Sequence, residues 1–363
     1  MGKVIVYLQV RFNYYLYKLG WLWRTNVMSR YVSFKIHHVY GPEKIKYAPN
    51  ELIVISIVRD GAKYIESFMD HYRVMGICHF VFLDNGSRDD TISKLKGYDH
   101  VTILQTNCTY HKYENALKTY LVKRFSQNRW NLFADIDELF DYPYSDKIRV
   151  SELLSYLNEN RYTAVVAQML DMFSHLPFSQ LEQTKPGSLK SKYTYYDISN
   201  IEKRYYKYGK LSNKNIQWHF HGIRSMLFGS NNGLTKAALI FVDGKINPFI
   251  DYHQTLDSSV ADFSTVLYHY PFTEAFYTKV KEAIETNRYG IWTCEYQRYW
   301  DGMTNAPELS MKLPTASCFE GTNKLIEDNF LVVSDKYIQW VNQKRGQIMA
   351  GQSKIHGEES LVL

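Results

Sequence analysis

Asp135, Asp137 and Glu138 follow directly on the apolar run Trp130 to Ala134. A short run that is apolar on both faces reads as a buried central strand, which puts the acids at its C-terminal end. Asp135 and Asp137 are two apart, so in extended chain their side chains fall on one face. Two carboxylates converging at a strand end form a hard-oxygen site for Mn²⁺ or Mg²⁺, ions that also take phosphate oxygens from a substrate. Glu138 is placed to orient such ligands from behind. An exposed acidic turn would carry the same short signature. The case therefore rests on the elements around it.

Composition sets wide bounds. The chain has 363 residues, 45% of them apolar, enough for one elaborated α/β domain or two fused halves. Its 31 tyrosines suit stacking and hydroxyl contacts to sugars or bases as well as core filling. The net charge is +6, with lysines and arginines spread along the chain, which argues against a dedicated nucleic-acid binder. Cys78, Cys108, Cys294 and Cys318 are far apart and form no C-x-x-C pair. That pattern fits a reduced, cytoplasmic setting.

Residues 1–48 stand apart as a basic, aromatic N-terminal segment. No acid precedes Glu43, and Leu8, Phe12, Tyr15, Leu19 and Leu22 follow helical spacing with Arg11 and Lys18 on the flank. Residues 1–40 read as a helix lying in an anionic membrane interface, on the inner face of the cytoplasmic membrane. Charge interrupts the run too often for a transmembrane span.

From Glu51 the cadence is strand, helix, strand, helix. The stretch Glu51 to Gly61 is a β-branched apolar strand broken by Asp60-Gly61. A helix over 64–75 ends at Gly76, a C-cap residue. Strands over 79–83 and 101–105 flank a short helix at 91–96, and a helix over 113–125 feeds the Trp130 strand. Such an order makes a parallel sheet with a nucleotide site at its strand ends. No Gly-x-Gly-x-x-Gly or Walker loop occurs, which disfavours dinucleotide and P-loop chemistry.

Arg59-Asp60-Gly61, the turn Asp84-Asn85-Gly86-Ser87 and Asp135-Ile136-Asp137-Glu138, in this order, resemble the glycosyltransferase family 2-like proteins of the GT-A fold. The resemblance implies an α/β fold with a mixed, mostly parallel sheet flanked by helices. Residues 49–175 then form the nucleotide-sugar-binding half, 176–305 the acceptor-binding half, and 306–363 a C-terminal helix and tail. It further implies a metal-dependent, hexosyltransferase-like enzyme that moves a sugar from a nucleotide-diphosphate sugar, UDP-linked before GDP-linked. The acceptor would be a glycan or lipid-linked glycan in bacterial surface polysaccharide synthesis. The family usually has Asn-Glu where this chain has Asp60-Gly61, so contacts made by that loop differ.

Particular residues follow from the resemblance. Donor contacts fall to Ser56, Val58, Arg59, Asp84, Asn85 and Asp135, with Arg224 and Lys236 as cations near the diphosphate or an anionic acceptor. His269, late in an apolar strand, becomes a third metal ligand beside Asp135 and Asp137, and His253 is a further candidate site. Asp171, ending the strand Ala164 to Phe173, is the expected catalytic base, with Glu138 in support. Two other classes share parts of the pattern: a non-catalytic glycan- or nucleotide-binding homologue, and a nucleotidyltransferase using the same two-carboxylate metal logic.

Overall fold

The Trp130 strand lies near the middle of a ten-stranded sheet. The computed structural model describes residues 23–185, 187–244 and 258–346, together with residue 20 and the segments 247–251 and 254–256. His253 and nearly all of the amphipathic N-terminal stripe lie outside the described residues. In chain order the sheet strands are β1 (His37–Tyr40), β2 (Leu52–Val58), β3 (His79–Asp84), β4 (Val101–Gln105) and β5 (Trp130–Phe133). They continue as β6 (Glu138–Asp141), β7 (Ala164–Asp171), β8 (Lys210–Leu211), β9 (Thr235–Phe241) and β10 (Ser259–His269).

Across the sheet the order is β1-β4-β3-β2-β5-β9-β7-β10-β8, with β6 laid on β10. β4, β3, β2 and β5 are mutually parallel. β9 runs antiparallel between β5 and β7, and β10 is parallel to β7. This is the mixed, mostly parallel sheet flanked by helices that the GT-A expectation names.

Helices Ile65–Met75, Thr91–Leu95 and Tyr110–Leu121 make the crossovers between the parallel strands. The first ends where Gly76 takes φ 90°, a conformation that costs glycine no Cβ strain. One face of the sheet packs Phe68, Tyr72, Phe82, Trp130 and Tyr156. The other packs Ile53, Val81, Leu117 and Phe133. Burial on both faces explains why these strands read as continuous apolar runs rather than alternating ones.

Two boundaries differ from the sequence expectation. β1 falls within the segment assigned to the N-terminal region, yet it pairs antiparallel with β4, His37 opposite Gln105. An open strand edge is an unsatisfied ladder, and β1 covers it. The region 322–345 divides into Thr322–Glu327 and a helix over 335–346, with Asn329 between them at φ 56°.

A smaller layer covers the strand ends. Helices Phe276–Glu285 and Thr293–Asn305 pack on Phe228, Phe272 and Met311. In the first, Phe276, Val280 and Ala283 are buried, while Lys279 and Glu282, three apart, share the polar flank of that stripe. That polar face looks back onto the acids after β5. No helix among the described residues is long and apolar enough to cross a membrane.

Candidate active site

Asp135 and Asp137 lie in the turn between β5 and β6, not in extended chain as their spacing predicts. The turn is needed because β6 folds back to pair with β10. Asp135 N donates to Glu138 Oε2 at 3.0 Å, and Glu138 N donates to Asp135 O at 2.9 Å. Glu138, 1% exposed, thus clasps the turn from inside. The neighbouring strand β9 supplies Lys236, whose Nζ lies 3.0 Å from Asp135 Oδ2 and also bonds Glu138 Oε1. Burial alone would raise the Asp135 carboxyl, but Lys236 outweighs it and holds the pKa below the ordinary value. In Glu138 burial wins and its pKa is raised.

Register brings the next group together. His269, the last residue of β10, stands opposite Asp171 of β7 on one side and Glu138 of β6 on the other. His269 Nδ1 lies 2.7 Å from Asp171 Oδ1. Burial pushes the Asp171 carboxyl up, yet Arg224 and His269 overcome it and the pKa ends low. An ionised Asp171 accepts, so Nδ1 donates to it, and Nε2 lies 4.0 Å from Asp137 Oδ2. Asp171 Oδ2 accepts from Arg224 Nε at 2.8 Å. Arg224 comes from the helix Gly222–Phe228, entered through Gly222 at φ 66°. A Cβ there would sit 3.1 Å from Leu234 and 3.2 Å from Ile201, so the turn aiming Arg224 depends on glycine.

Sequence reasoning missed Lys279, Lys63 and Glu295. Lys279 Nζ lies 3.1 Å from Asp137 Oδ2. Burial of Asp137 is outweighed by Lys279 and His269, and its carboxyl stays well below the usual range. Lys63 Nζ donates to Thr273 Oγ1 at 3.1 Å and ion-pairs with no carboxylate among the described residues. Glu295 Oε1 accepts from Asn232 Nδ2 at 2.5 Å and from Tyr299 OH, and lies 3.7 Å from Arg224 Nη1. Its Oε2 has no protein partner among the described residues. The i, i+3 pair Lys279 and Glu282 was the one available signal.

The predicted donor residues divide into two groups. Val58, Arg59, Asn85, Asp135 and Asp137 line a cavity of about 340 Å³, which a second groove of about 360 Å³ continues past Gly86, Thr109 and His111. Asp84 and Ser56 do not reach either wall. Asp84 is fully buried and shapes its turn, accepting from Gly86 N at 3.1 Å and Gln105 Nε2 at 3.1 Å. Ser56 is 0% exposed inside β2, so its placement corrects the expected donor contact. The departing loop is knit to the Asp84 turn: Asp60 N donates to Ser87 Oγ at 2.9 Å, and Arg88 N to Asp60 Oδ1 at 2.7 Å. A Cβ on Gly61 would lie 2.6 Å from Val58 Cγ2. A bulkier residue there would have to move the strand end.

On the far side of the acids lies a further cavity of about 490 Å³, with Glu138, Arg224, Lys236 and Glu295 in its wall. Asp135, His269, Lys279 and Tyr296 border both this cavity and the first. Two compartments thus meet at the paired carboxylates.

No protein-family model and no curated protein matches the sequence. Solved structures do align. The full S. aureus TarS structure aligns at 18% identity and TM-score 0.24, over 34% of this chain and 22% of that one. The chain thus spans about a fifth of that protein's length. A TarS 1–349 structure aligns at 16% identity and TM-score 0.31, over 72% and 76% of the two chains. HddC from Yersinia pseudotuberculosis aligns at 8% identity and TM-score 0.29, over 63% and 96%.

The expected three-ligand metal set does not assemble. No group of three or more His, Cys, Asp or Glu among the described residues could hold a metal ion, because Lys236 draws Asp135 away toward Glu138. Asp137 and His269 remain as a pair, a hard oxygen and an imidazole nitrogen 4.0 Å apart. Asp171 orients the ring as metal-binding histidines require. Those two residues fit a divalent ion whose other positions go to water and phosphate.

Proposed function

We propose that the protein is a glycosyltransferase that uses a nucleotide-diphosphate sugar and a glycan acceptor. One observation carries this reading. Two cavities meet at Asp135, His269, Lys279 and Tyr296, and the first of them contains cations, Lys63 and Arg288, without carboxylate partners among the described residues. Half-buried cations without a carboxylate partner call for an anion, and a diphosphate supplies it.

In this reading the nucleoside lies along Asn85, Gly86, Thr109 and His111, and the diphosphate beside Arg59, Lys63 and Arg288. A divalent ion bound by Asp137 and His269 would neutralise charge on the departing nucleoside diphosphate. Lys279 and Lys236 hold the paired carboxylates ionised and fixed. The sugar anomeric carbon then stands at the junction, open to an acceptor hydroxyl from the second cavity.

Proton removal falls to Glu295 rather than to Asp171. Glu295 opens onto the second cavity with Oε2 unpartnered, whereas Asp171 spends both oxygens on His269 and Arg224. Asp171 acts through His269 as a positioning residue. UDP- and lipid-linked choices, and peripheral membrane contact through residues 1–40, belong to this proposal as well.

The test is release of nucleoside diphosphate from a panel of UDP- and GDP-sugars, with and without Mn²⁺. Metal-dependent release from one donor, lost in Asp137→Ala, supports the reading and names the donor. Pyrophosphate as the product would replace it with nucleotidyl transfer.

A further inference from the structure

The two cavities differ in how their charges close. In the first, Lys63 has Thr273 Oγ1 as a neutral partner at 3.1 Å, and Arg288 Nε is buried without a partner. In the second, every cation of the wall already has a carboxylate partner inside the protein. Lys236 pairs with Asp135 and Glu138, Arg224 with Asp171 and Glu295, and Lys279 with Asp137. An acidic ligand entering there finds no cation whose charge is uncompensated. It would have to break a buried ion pair, one of the more costly changes a folded protein can undergo.

What the second cavity does offer is aromatic surface and neutral polar groups. Trp218, Phe220, Phe272 and Tyr296 form much of its wall, and Trp218 stacks on Phe220 with ring centroids 5.9 Å apart. At the rim stands Trp292, 69% exposed, at the start of the helix that carries Glu295. An exposed indole at the edge of a polar cavity offers a flat apolar face with a polar N–H tip, suited to stacking. Asn231 and Asn232 add amide groups to the wall. Arg224 Nη2 and Trp218 Nε1 are buried N–H groups without partners among the described residues. Such donors bind more tightly when an oxygen reaches them, because leaving them unpaired is costly.

Apolar faces beside hydroxyls, with no net charge, describe a neutral sugar ring. We infer that the second cavity binds an uncharged sugar of the acceptor, stacked on Trp292, and discriminates against uronate, sialate or phosphate-bearing residues at that position. The inference rests on the transferase reading and adds the class of acceptor. Ile291, 82% exposed beside Trp292, makes a lipid surface the rival partner for this rim.

The experiment is binding of the full chain, with UDP and Mn²⁺ present, to an immobilised array of neutral and acidic glycans. UDP binding is measured separately by calorimetry on the same preparations. Retention on uncharged glycans is expected, about tenfold weaker in Trp292→Ala and close to wild type in Trp292→Phe. Preference for acidic glycans, no retention on any glycan, or unchanged retention by Trp292→Ala overturns the inference. Binding to anionic phospholipid vesicles that Trp292→Ala abolishes, with glycan retention intact, also overturns it and assigns the rim to a membrane. Normal UDP binding alongside any of these leaves the donor reading standing, while absent UDP binding overturns both.

Discussion

His269 Nδ1 stands 2.7 Å from Asp171 Oδ1 across the register pair of two parallel strands. Asp171 in turn neutralises Arg224 at 2.8 Å, so one buried carboxylate fixes both an imidazole and a guanidinium. Asp171→Asn keeps the shape and removes the charge. Arg224 is then left with Glu295 at 3.7 Å. Breaking a buried pair in this way costs about 3–5 kcal/mol, read as a lower urea midpoint. Mn²⁺ affinity falls about 10–100-fold as His269 loses its orienting partner. A variant with wild-type stability and Mn²⁺ affinity would show that Asp171 does not hold His269.

Lys279 and a divalent ion compete for Asp137. The ammonium lies 3.1 Å from Asp137 Oδ2, on the side of the residue that faces the cavity. Lys279→Met removes the competitor and leaves a buried carboxylate in need of a cation. Mn²⁺ binding without nucleotide, followed by the electron paramagnetic resonance of the free ion, is expected to tighten about tenfold or more. Weaker binding in the variant would mean that Lys279 helps to build the ion site instead.

Much of this arrangement was legible in the sequence, and the reason is local. β2, β3 and β5 are buried on both faces, so unbroken apolar runs announce them, and each ends in a turn with its own polar signature. Asp135, Asp137 and Asn85 therefore lie just past strand ends, although the two aspartates sit in a turn and not in extended chain. Ser56 did not fall where expected, because a lone hydroxyl in a buried strand looks the same whether it faces a cavity or the sheet interior. Lys63, Lys279 and Glu295 were opaque for another reason. Each sits on a polar helix or loop face that would ordinarily meet water, and the packing of 276–305 over the strand ends turns those faces inward. That packing is set by Phe228 against Phe272 and Phe276, which lie far from it in the chain. The turn through Gly222 that aims Arg224 is equally a matter of three-dimensional crowding.

Glu295→Gln separates the two candidate bases. Its Oε1 keeps a hydrogen-bonding role as an amide oxygen, while the free Oε2 becomes an NH₂ that takes no proton. The turnover number is expected to fall about 10²–10⁴-fold with little change in donor KM. The acidic limb of the pH–rate profile should disappear with it. Loss of that limb in Asp171→Asn, and its retention in Glu295→Gln, would return the base role to Asp171.

Lys63 gives the site a pH dependence whose sign can be fixed in advance. Burial first, and Lys279 second, push its pKa down from 10.5 to about 8. Between those values the unfolded chain holds a proton that the folded chain has lost, so folding stability rises with pH across that window. Below about 8 the folded protein carries the full cost of a buried ammonium without a carboxylate. A diphosphate beside Lys63 reverses the balance, because it favours the charged form. UDP binding without metal should therefore take up a proton when measured near pH 9 and weaken as the pH climbs further. Calorimetry in buffers of different ionisation enthalpy reads the uptake directly. Lys63→Met should abolish it and lower UDP affinity at neutral pH about tenfold. Proton uptake that persists in Lys63→Met would place the titrating group elsewhere and remove Lys63 from the diphosphate site.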